Sequence, residues 1–429
     1  MRSASLSQRL RHWLVARIPG QLVVQITDKC NAKCPQCGMR ISSSFKRRTL
    51  DKQEVYKTID AAAHRGIKAI SFTGGEPMLM ADTLCNYLTR AGQRGIPFIR
   101  TGTNGFFFTG SDRPGFRSRM EGLVGKLAST PLRNFWISLD SLDVHVHETM
   151  RGFDSLVAGM EKALPIFHDA GLFPSVNLGI NRNLGGDLTR RLSPRDYSCP
   201  KAYESAVYDT YCRAFSLFYQ RVIDMGFTIV NACYPMSVDT ENASLETVYQ
   251  ASATDHIVRF TPQEKKMIFM ALRDTIPRFR SRIRIFTPRA SLNALIWECD
   301  NPNGSPSPFS APCQGGINFF FIDARTGDTF PCGFRGGDNF GKLWDMVHPR
   351  PVDSMECQQC DWECFRDPSE LMAPVVDFFT QPLGLVRKIR KDPQHIKMWA
   401  GDLRYYSACD YFNGRIPPDF KKMKTAKNT

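Results

Sequence analysis

The chain has 429 residues, of which 42% are hydrophobic and 23% are charged, and its formal net charge is +14. This is an ordinary globular composition. The length predicts one large domain with a smaller one, or two to three domains. The net positive charge favours anionic partners. No run approaches the roughly 18 apolar residues that a membrane helix needs, and the N-terminus lacks the features of a secretory signal, so we expect a cytoplasmic protein.

The first predicted element is an N-terminal amphipathic helix, which we assign to residues 1–19. Residues 6 to 18 place five apolar side chains on one helical face, with three arginines around it. This face either packs against the rest of the protein, which we favour, or lies on a membrane surface.

Short apolar runs then alternate with helical stretches. Six runs read as strands, at 22–26, 69–72, 98–102, 135–139, 173–180 and 227–232. The stretches 50–66, 83–95 and 153–171 read as helices, and Gly66 has the place of a helix C-cap. This alternation predicts an α/β fold with a parallel sheet. Six units are too few for an eight-unit barrel, so we expect a partial (βα)6 TIM-like barrel over residues 20–298.

A cysteine motif follows the first strand. The segment "DKCNAKCPQC" places thiols at Cys30, Cys34 and Cys37, spaced C-x3-C-x2-C. A disulfide uses two thiols, so a third indicates a metal, and both Zn²⁺ and iron–sulfur clusters accept thiolates. Fourteen cysteines in a chain expected to be cytoplasmic also favour metal sites over disulfides.

Polar motifs follow the other strands. "TGGEP" (73–77) follows strand 2, "TNG" (103–105) follows strand 3, "SLDS" (138–141) ends strand 4 and "NLGINRN" (177–183) ends strand 5. The carboxyl ends of parallel strands share one edge, where such folds carry their chemistry. We therefore expect these segments to meet the cysteines at one mouth.

The cysteine spacing together with "GGEP" at the next strand end resembles the radical S-adenosylmethionine (SAM) superfamily. The resemblance covers about residues 20–235. It implies a [4Fe–4S] cluster on Cys30, Cys34 and Cys37, with one iron left for SAM. It also implies an enzyme, an oxidoreductase or a transferase, that reductively cleaves SAM to a 5′-deoxyadenosyl radical and abstracts hydrogen from a substrate. An electron donor such as flavodoxin or ferredoxin would serve it.

The resemblance also implies contacts to SAM. Glycines and a carboxylate after strand 2 would line its methionine end, and polar side chains on later strands would meet its ribose, carboxylate and adenosyl group. Asn104 also suits a turn, and Arg151 suits a surface ion pair. The proposed SAM ligands are Gly74, Gly75, Glu76, Asn104, Ser138, Asp140, Arg151, Asn177 and Asn181.

One position departs from the family pattern. The family usually has an aromatic residue directly before the third cysteine, where it contacts adenine, and this chain has Gln36. Either the Gln36 amide takes that contact or residues around Cys233 and Tyr234 hold the adenine.

A second cysteine group lies in the C-terminal third. "INFFFIDARTGDTFPC" predicts a β-hairpin with Gly327 in its turn, and "CQQCDWEC" follows. The group resembles the auxiliary-cluster modules of radical SAM enzymes, called SPASM when full and twitch when shortened. We place this β-hairpin/helix module at 299–372 and a helical, basic tail at 373–429. The implied ligands of a second [4Fe–4S] cluster are Cys313, Cys332, Cys357 and Cys360, with Cys364 as a replacement for one of them. Zinc on the same thiolates is the alternative.

The substrate and the catalytic residues beyond the cluster stay open. Segment 277–289 and the C-terminal tail 420–429 are rich in basic residues, which we read as a solvated face and a disordered tail. Together with the N-terminal helix and segment 375–391, these basic segments also favour an anionic or lipid-like small molecule as the substrate. They favour a peripheral contact with a membrane as well. The 19 residues before the barrel are too few for a leader-binding domain, which disfavours a peptide or protein substrate. The rival reading is a non-catalytic zinc–thiolate protein that binds nucleic acid, although no specific nucleic-acid motif is present.

Overall fold

In the computed structural model, residues 19–37, 46–235, 256–301, 313–335, 337–346 and 361–427 are described. The predicted N-terminal helix and two of the predicted auxiliary ligands, Cys357 and Cys360, lie outside these ranges. Among the described residues, no helix is long and apolar enough to span a membrane.

A nine-stranded curved sheet is the centre of the fold. Its strand order is β7-β6-β5-β4-β3-β2-β1-β8-β9. All neighbours from β7 to β8 are parallel, and β9 runs antiparallel to β8. The strands are β1 (Gly20–Thr27), β2 (Ile67–Gly74), β3 (Phe98–Thr103), β4 (Asn134–Ser138), β5 (Ser175–Gly179), β6 (Ile229–Cys233), β7 (Arg284–Ile285), β8 (Phe319–Ile322) and β9 (Thr329–Phe330). The six predicted strands and the parallel partial barrel are thus confirmed.

Helices cover the outer face of this sheet. Val24, Phe72, Phe135 and Val176 point outward from their strands and are fully buried against the helices. Each such side chain contributes about 1.5–3 kcal/mol of hydrophobic stabilisation. The helices are α1 (Lys52–His64), α2 (Ala81–Gln93), α3 (Phe116–Ala128), α4 (Val144–Arg151), α5 (Leu156–Asp169), α6 (Asp187–Arg190), α7 (Pro200–Met225), α8 (Pro262–Phe279), α9 (Arg289–Asp300), α10 (Glu363–Thr380), α11 (Pro382–Lys391), α12 (Pro393–Ala408) and α13 (Phe420–Lys427).

The predicted hairpin forms, with Gly327 at a φ of +72° in its turn. Its first strand, β8, pairs with β1 from Gln21↔Phe319 to Val24↔Ile322. The hairpin therefore extends the barrel sheet beside the strand that leads into the first cysteine motif.

Helix α10 packs against the inner side of the sheet. Gln21 on β1 donates its amide to the Cys364 carbonyl at 3.2 Å. After β6, the hydroxyl of Tyr234 donates to Asp367 at 3.1 Å. The first turn of α10 thus contacts both ends of the six-strand series and fills part of the barrel interior.

The reading of segment 277–289 as solvated surface was wrong for two of its arginines. Arg280 is buried and forms an ion pair with Asp402 on α12. Arg284 is buried as well and donates to the carbonyls of Thr228 and Asn413. These two charges hold the C-terminal helices against the barrel, because a buried cation needs nearby acceptors.

Candidate cluster and cofactor site

The loop that carries the first three cysteines rests on the turn after β2. Gly75 N donates to the Thr27 carbonyl at 2.7 Å, and Glu76 N donates to the Lys29 carbonyl at 2.8 Å. A Cβ on Gly74 would lie 2.2 Å from the Thr27 oxygen, and one on Gly75 would lie 2.1 Å from the Lys29 oxygen. Only glycine allows the two backbones to come this close, so both glycines are needed to seat the cysteine loop.

Glu76 joins the turns after β2 and β3. Its buried carboxylate accepts from Met78 N at 3.0 Å and from Asn104 N at 2.6 Å. Burial raises the pKa of Glu76 to about 7. The side chain therefore caps the short helix Pro77–Met80 and fixes Asn104, and its predicted contact with the ammonium of SAM stays a prediction.

Two of the three thiols receive N–H donors from neighbouring strand ends. Asn104 Nδ2 lies 3.6 Å from the sulfur of Cys30, and Arg151 Nη1 lies 3.6 Å from the sulfur of Cys34. Burial raises the pKa of Cys34 to about 12. A metal centre therefore has to displace a proton from this thiol, and the neighbouring donors favour the thiolate that results.

Asp140 is the centre of a buried network at the mouth. Its carboxylate accepts from Arg151 at 2.5 Å, from Gln36 Nε2 at 3.1 Å and from Gly179 N at 3.2 Å. The reading of Arg151 as a surface ion pair was wrong, because the pair is buried and its guanidinium also reaches Cys34. The network links the cysteine loop to the ends of β4 and β5.

Asn181, predicted to reach the adenosyl group, is engaged within the protein. Its Nδ2 donates to the carbonyls of Asp140 at 2.8 Å and Gly179 at 2.7 Å, and its Oδ1 accepts from Asn183 N at 2.7 Å. This amide holds the Asp140 loop in place. Ser138 and Asn177 face each other in the β4–β5 register, on the inner side of the sheet.

His147 is a member of this network that the sequence did not reveal. Its Nδ1 accepts from the Asp140 backbone N–H at 3.2 Å, and the side chain is fully buried on α4. Burial lowers the pKa of His147 to about 4. The ring is therefore neutral at pH 7, which keeps it an acceptor.

We expect this histidine to make the protein less stable in mild acid. The pKa of His147 in the folded protein lies below its value of about 6.5 in the unfolded chain. The neutral ring therefore contributes to the free energy of unfolding above pH 6.5, and this contribution is lost as the pH falls toward 4. Between pH 7 and pH 5 the expected loss is about 2 kcal/mol. Denaturant titration at both pH values measures it. The loss should shrink in His147→Asn and stay in His145→Asn, which changes an exposed neighbour; equal loss in all three proteins would contradict the assignment.

The described part of the second cysteine group gathers at one apolar cluster. Cys332 belongs to it, and Cys313 and Cys364 pack against it. The apolar members are Val23, Phe319, Phe321, Phe334, Trp362 and Phe365. Three of the five predicted auxiliary ligands therefore share one neighbourhood, beside β8 and the start of α10.

The residues at the mouth fit an iron–sulfur cluster and a polar ligand. Three thiols with N–H donors nearby are a suitable donor set for such a cluster. Two buried polar atoms, Gln36 Oε1 and Arg151 Nε, have no hydrogen-bond partner among the described residues, so they can serve a bound molecule. No three His, Cys, Asp or Glu side chains in the described ranges lie close enough together to hold a single metal ion. The thiolates of a [4Fe–4S] cluster each bind a different iron, so they do not need that spacing.

Comparison with known proteins agrees with this geometry. Residues 24–181 match the Radical SAM superfamily. A protein of Vibrio vulnificus (strain YJ016) named GTP 3′,8-cyclase is 29% identical over 151 residues, which are 34% of this chain and 42% of that protein. A protein of Pyrococcus abyssi named probable GTP 3′,8-cyclase is 29% identical over 172 residues, 39% of this chain and 51% of that protein. The chain thus spans about half, or less, of the length of these curated relatives.

A solved structure shares the fold. The structure described as native anSMEcpe with bound AdoMet and Kp18Cys peptide superposes with a TM-score of 0.50 at 14% sequence identity, covering 87% of this chain and 99% of that one. At that identity the likeness concerns the fold alone. Residues 24–181 of the chain therefore form a radical SAM domain.

Proposed function

We propose that this chain is an enzyme that holds a [4Fe–4S] cluster on Cys30, Cys34 and Cys37 and binds SAM beside it. The observation that carries this proposal is the set of three thiols at the barrel mouth, with Asn104 and Arg151 aimed at two sulfurs. When bound and reduced, the cluster supplies the electron that cleaves SAM to a 5′-deoxyadenosyl radical, which abstracts hydrogen from the substrate.

The side chains of the mouth have distinct tasks in this proposal. Asn104 and Arg151 stabilise the thiolate forms of their cysteines, and Asp140 positions Arg151. Gly74 and Gly75 keep the turn close to the cysteine loop, where Glu76 would meet the ammonium of SAM. Residues Ser138 and Asn177 would meet its ribose and adenosyl groups from β4 and β5.

Gln36 replaces the usual aromatic residue in this proposal. Its Nε2 is fixed on Asp140, so its buried Oε1 is left as an acceptor without a described partner. An exocyclic amino group such as that of adenine is a suitable donor for it. Gln36 thus holds the adenine by a hydrogen bond rather than by ring contact.

The test is anaerobic reconstitution with iron and sulfide, followed by addition of SAM and dithionite. We expect a brown protein, an electron paramagnetic resonance signal of a reduced cluster that changes when SAM is added, and release of 5′-deoxyadenosine. A colourless protein that retains zinc and neither binds nor cleaves SAM would overturn the proposal and favour the rival, a zinc–thiolate protein that binds nucleic acid.

We propose a second [4Fe–4S] cluster on the C-terminal cysteines, with Cys313, Cys332, Cys357 and Cys360 as ligands and Cys364 as the alternative. The gathering of Cys313, Cys332 and Cys364 at one cluster of apolar side chains supports it. Replacing Cys313 and Cys332 with alanine should lower the iron content from about eight to about four atoms per chain. The signal that responds to SAM should remain in that variant.

The substrate that we propose is a small anionic or lipid-like molecule, processed in the cytoplasm with electrons from flavodoxin or ferredoxin. Modification of a peptide or protein is the alternative. The relatives' names refer to GTP, but the matched segments cover 42% and 51% of those two proteins. The choice of substrate therefore depends on the barrel interior of this chain.

We also propose that the corner formed by the end of α10 and the start of α11 touches anionic membranes. Phe378, Phe379 and Leu383 are exposed, with Leu383 at 75% of its maximum. Arg387 and Arg390 are exposed on the helix that follows. Apolar side chains flanked by cations are typical of a surface that binds a lipid interface.

This surface predicts binding to lipid vesicles. Co-sedimentation with vesicles that contain phosphatidylserine should capture the wild type and should weaken at high salt. The double substitution Phe378→Ser and Leu383→Ser should lower the bound fraction at least about tenfold, because the buried apolar area is lost. The exposed control Leu217→Ser should bind as the wild type does. Equal capture of both variants would exclude this surface.

A further inference from the structure

Arg100 lies inside the barrel. Its neighbours on β3, Ile99 and Thr101, are fully buried on the outer side of the strand, so Arg100 projects to the inner side. Its Nε donates to the hydroxyl of Ser71 on β2 at 3.0 Å, in register with it. This places a permanent cation in the space that the six strands surround.

The charge of Arg100 is not neutralised by any described residue. The bond to Ser71 is its one hydrogen bond there, and it forms no ion pair within the described ranges. Burial lowers the pKa of Arg100. Among the other arginines inside the fold, Arg151 pairs with Asp140 and Arg280 pairs with Asp402, and Arg284 donates to the carbonyls of Thr228 and Asn413. A cation inside a barrel without a counter-charge is unfavourable until an anion joins it.

Two more donors on the inner side of the sheet lack acceptors among the described residues. Gly102, opposite Trp136 in the register, leaves room for the indole, since a Cβ there would lie 1.9 Å from Trp136 Nε1. That Nε1 makes no hydrogen bond to a described residue. Asn177 on β5 accepts at Oδ1 from Asn231 at 3.1 Å, and its Nδ2 is likewise without a described acceptor. Trp136 on β4 thus presents an unused donor beside the strand of Arg100, whereas Asn177 lies opposite Ser138, two positions nearer the mouth.

We propose that Arg100 on β3 and Trp136, two register positions further along on neighbouring β4, bind an oxyanion of the substrate, a carboxylate or a phosphate. This inference rests on the proposed function and specifies its substrate class as an anionic small molecule. The two terminal nitrogens of Arg100 match the two oxygens of such a group. Arg100 precedes Asn104, the first residue after β3, by four residues, about 13 Å of extended chain. A substrate anchored at Arg100 would have to span that distance to reach the cysteines at the mouth.

Arg100 has one competing role, which is to balance the charge of the second metal site. Burial raises the pKa of the Cys364 thiol, and the charge of Arg100 acts against that rise, so the two groups lie near each other. Under that role, removing Arg100 would disturb the C-terminal metal site and leave binding of small anions unchanged. The two roles thus predict different measurements.

The test measures equilibrium binding of three probes to the reconstituted full-length protein, without reductant and without SAM. The probes are benzoate, its neutral analogue benzamide, and inorganic phosphate. Binding of each probe is monitored by the quenching of tryptophan fluorescence. We expect an oxyanion to bind in the millimolar range or tighter and benzamide to bind at least about tenfold more weakly. Benzoate as the tighter probe assigns a carboxylate, and phosphate as the tighter probe assigns a phosphoryl group.

Variants localise the binding. Arg100→Gln should raise the Kd of the oxyanion at least about tenfold, and Arg100→Lys should fall between it and the wild type, because the charge remains but the fork of two donors is lost. Trp136→Phe should remove most of the quenching. Arg113→Gln, which changes an exposed arginine, should bind as the wild type does. Circular dichroism and iron content confirm that each variant is folded and loaded.

Three results would overturn the inference. The first is that the wild type binds no oxyanion, and the second is that benzoate and benzamide bind equally tightly. The third is that Arg100→Gln leaves the Kd of the oxyanion unchanged while iron is lost. None of these measurements requires SAM cleavage. Failure here is therefore distinct from failure of the proposed function, which is read from 5′-deoxyadenosine.

Discussion

Replacing Cys30, Cys34 and Cys37 together with alanine is expected to lower the rate of 5′-deoxyadenosine formation to that of buffer containing SAM and dithionite. Without the three thiolates no iron is held at the mouth, so the donors on Asn104 and Arg151 have no cluster to stabilise. The measurement is chromatographic assay of 5′-deoxyadenosine under anaerobic conditions, with iron and sulfide determined on the same sample.

The matched control removes three other thiols. Cys85, Cys199 and Cys212 lie on α2, at the start of α7 and within α7, outside both cysteine groups. Their triple alanine variant should retain iron and cleavage activity. Cleavage that survives in the mouth variant, or that disappears equally in the control, would contradict the assignment of the three ligands. If the wild type binds SAM but cleaves it only when substrate is present, the electron paramagnetic resonance signal of the reduced cluster would still distinguish it from the mouth variant.

The parts of this site that could be predicted are those set by local sequence. The six strands are runs of β-branched and aromatic residues, and their polar ends fall at one edge of any parallel sheet. Gly75, Asp140 and Arg151 can therefore be identified before any contact is known. Helix α3 was missed, because Gly122 and Gly125 weaken its helical pattern.

The parts that could not be predicted depend on contacts between distant residues. The pairing of β8 with β1 joins positions about 300 apart in the chain, and no local pattern encodes that register. A count of charges cannot reveal that Arg280 is buried on Asp402. The sequence also does not show that Arg100 lacks a counter-charge among the described residues. Strand β3 carries no motif, and which charges pair is decided only when the barrel folds.

The ion pair of Asp140 and Arg151 provides the largest expected effect on stability. Asp140→Ala should lower the free energy of unfolding by about 3–5 kcal/mol, because it leaves the guanidinium of Arg151 buried without its counter-charge. The Gln36 amide and Gly179 N–H lose their acceptor in the same variant. Denaturant unfolding of the cluster-free protein measures this effect without interference from cofactor binding.

A double variant separates the pair from its surroundings. Adding Arg151→Met to Asp140→Ala removes the unpaired charge and should recover part of the lost stability, whereas two independent sites would give additive losses. Glu121→Gln, which breaks the exposed pair with Arg117, should change stability by less than about 0.5 kcal/mol. In both Asp140 variants SAM affinity should still fall, since neither restores the position of Arg151 beside Cys34. If the stability losses of the two substitutions were additive, the pair would not balance a buried charge. If SAM affinity were also unchanged, the pair would have no role in SAM binding at the mouth.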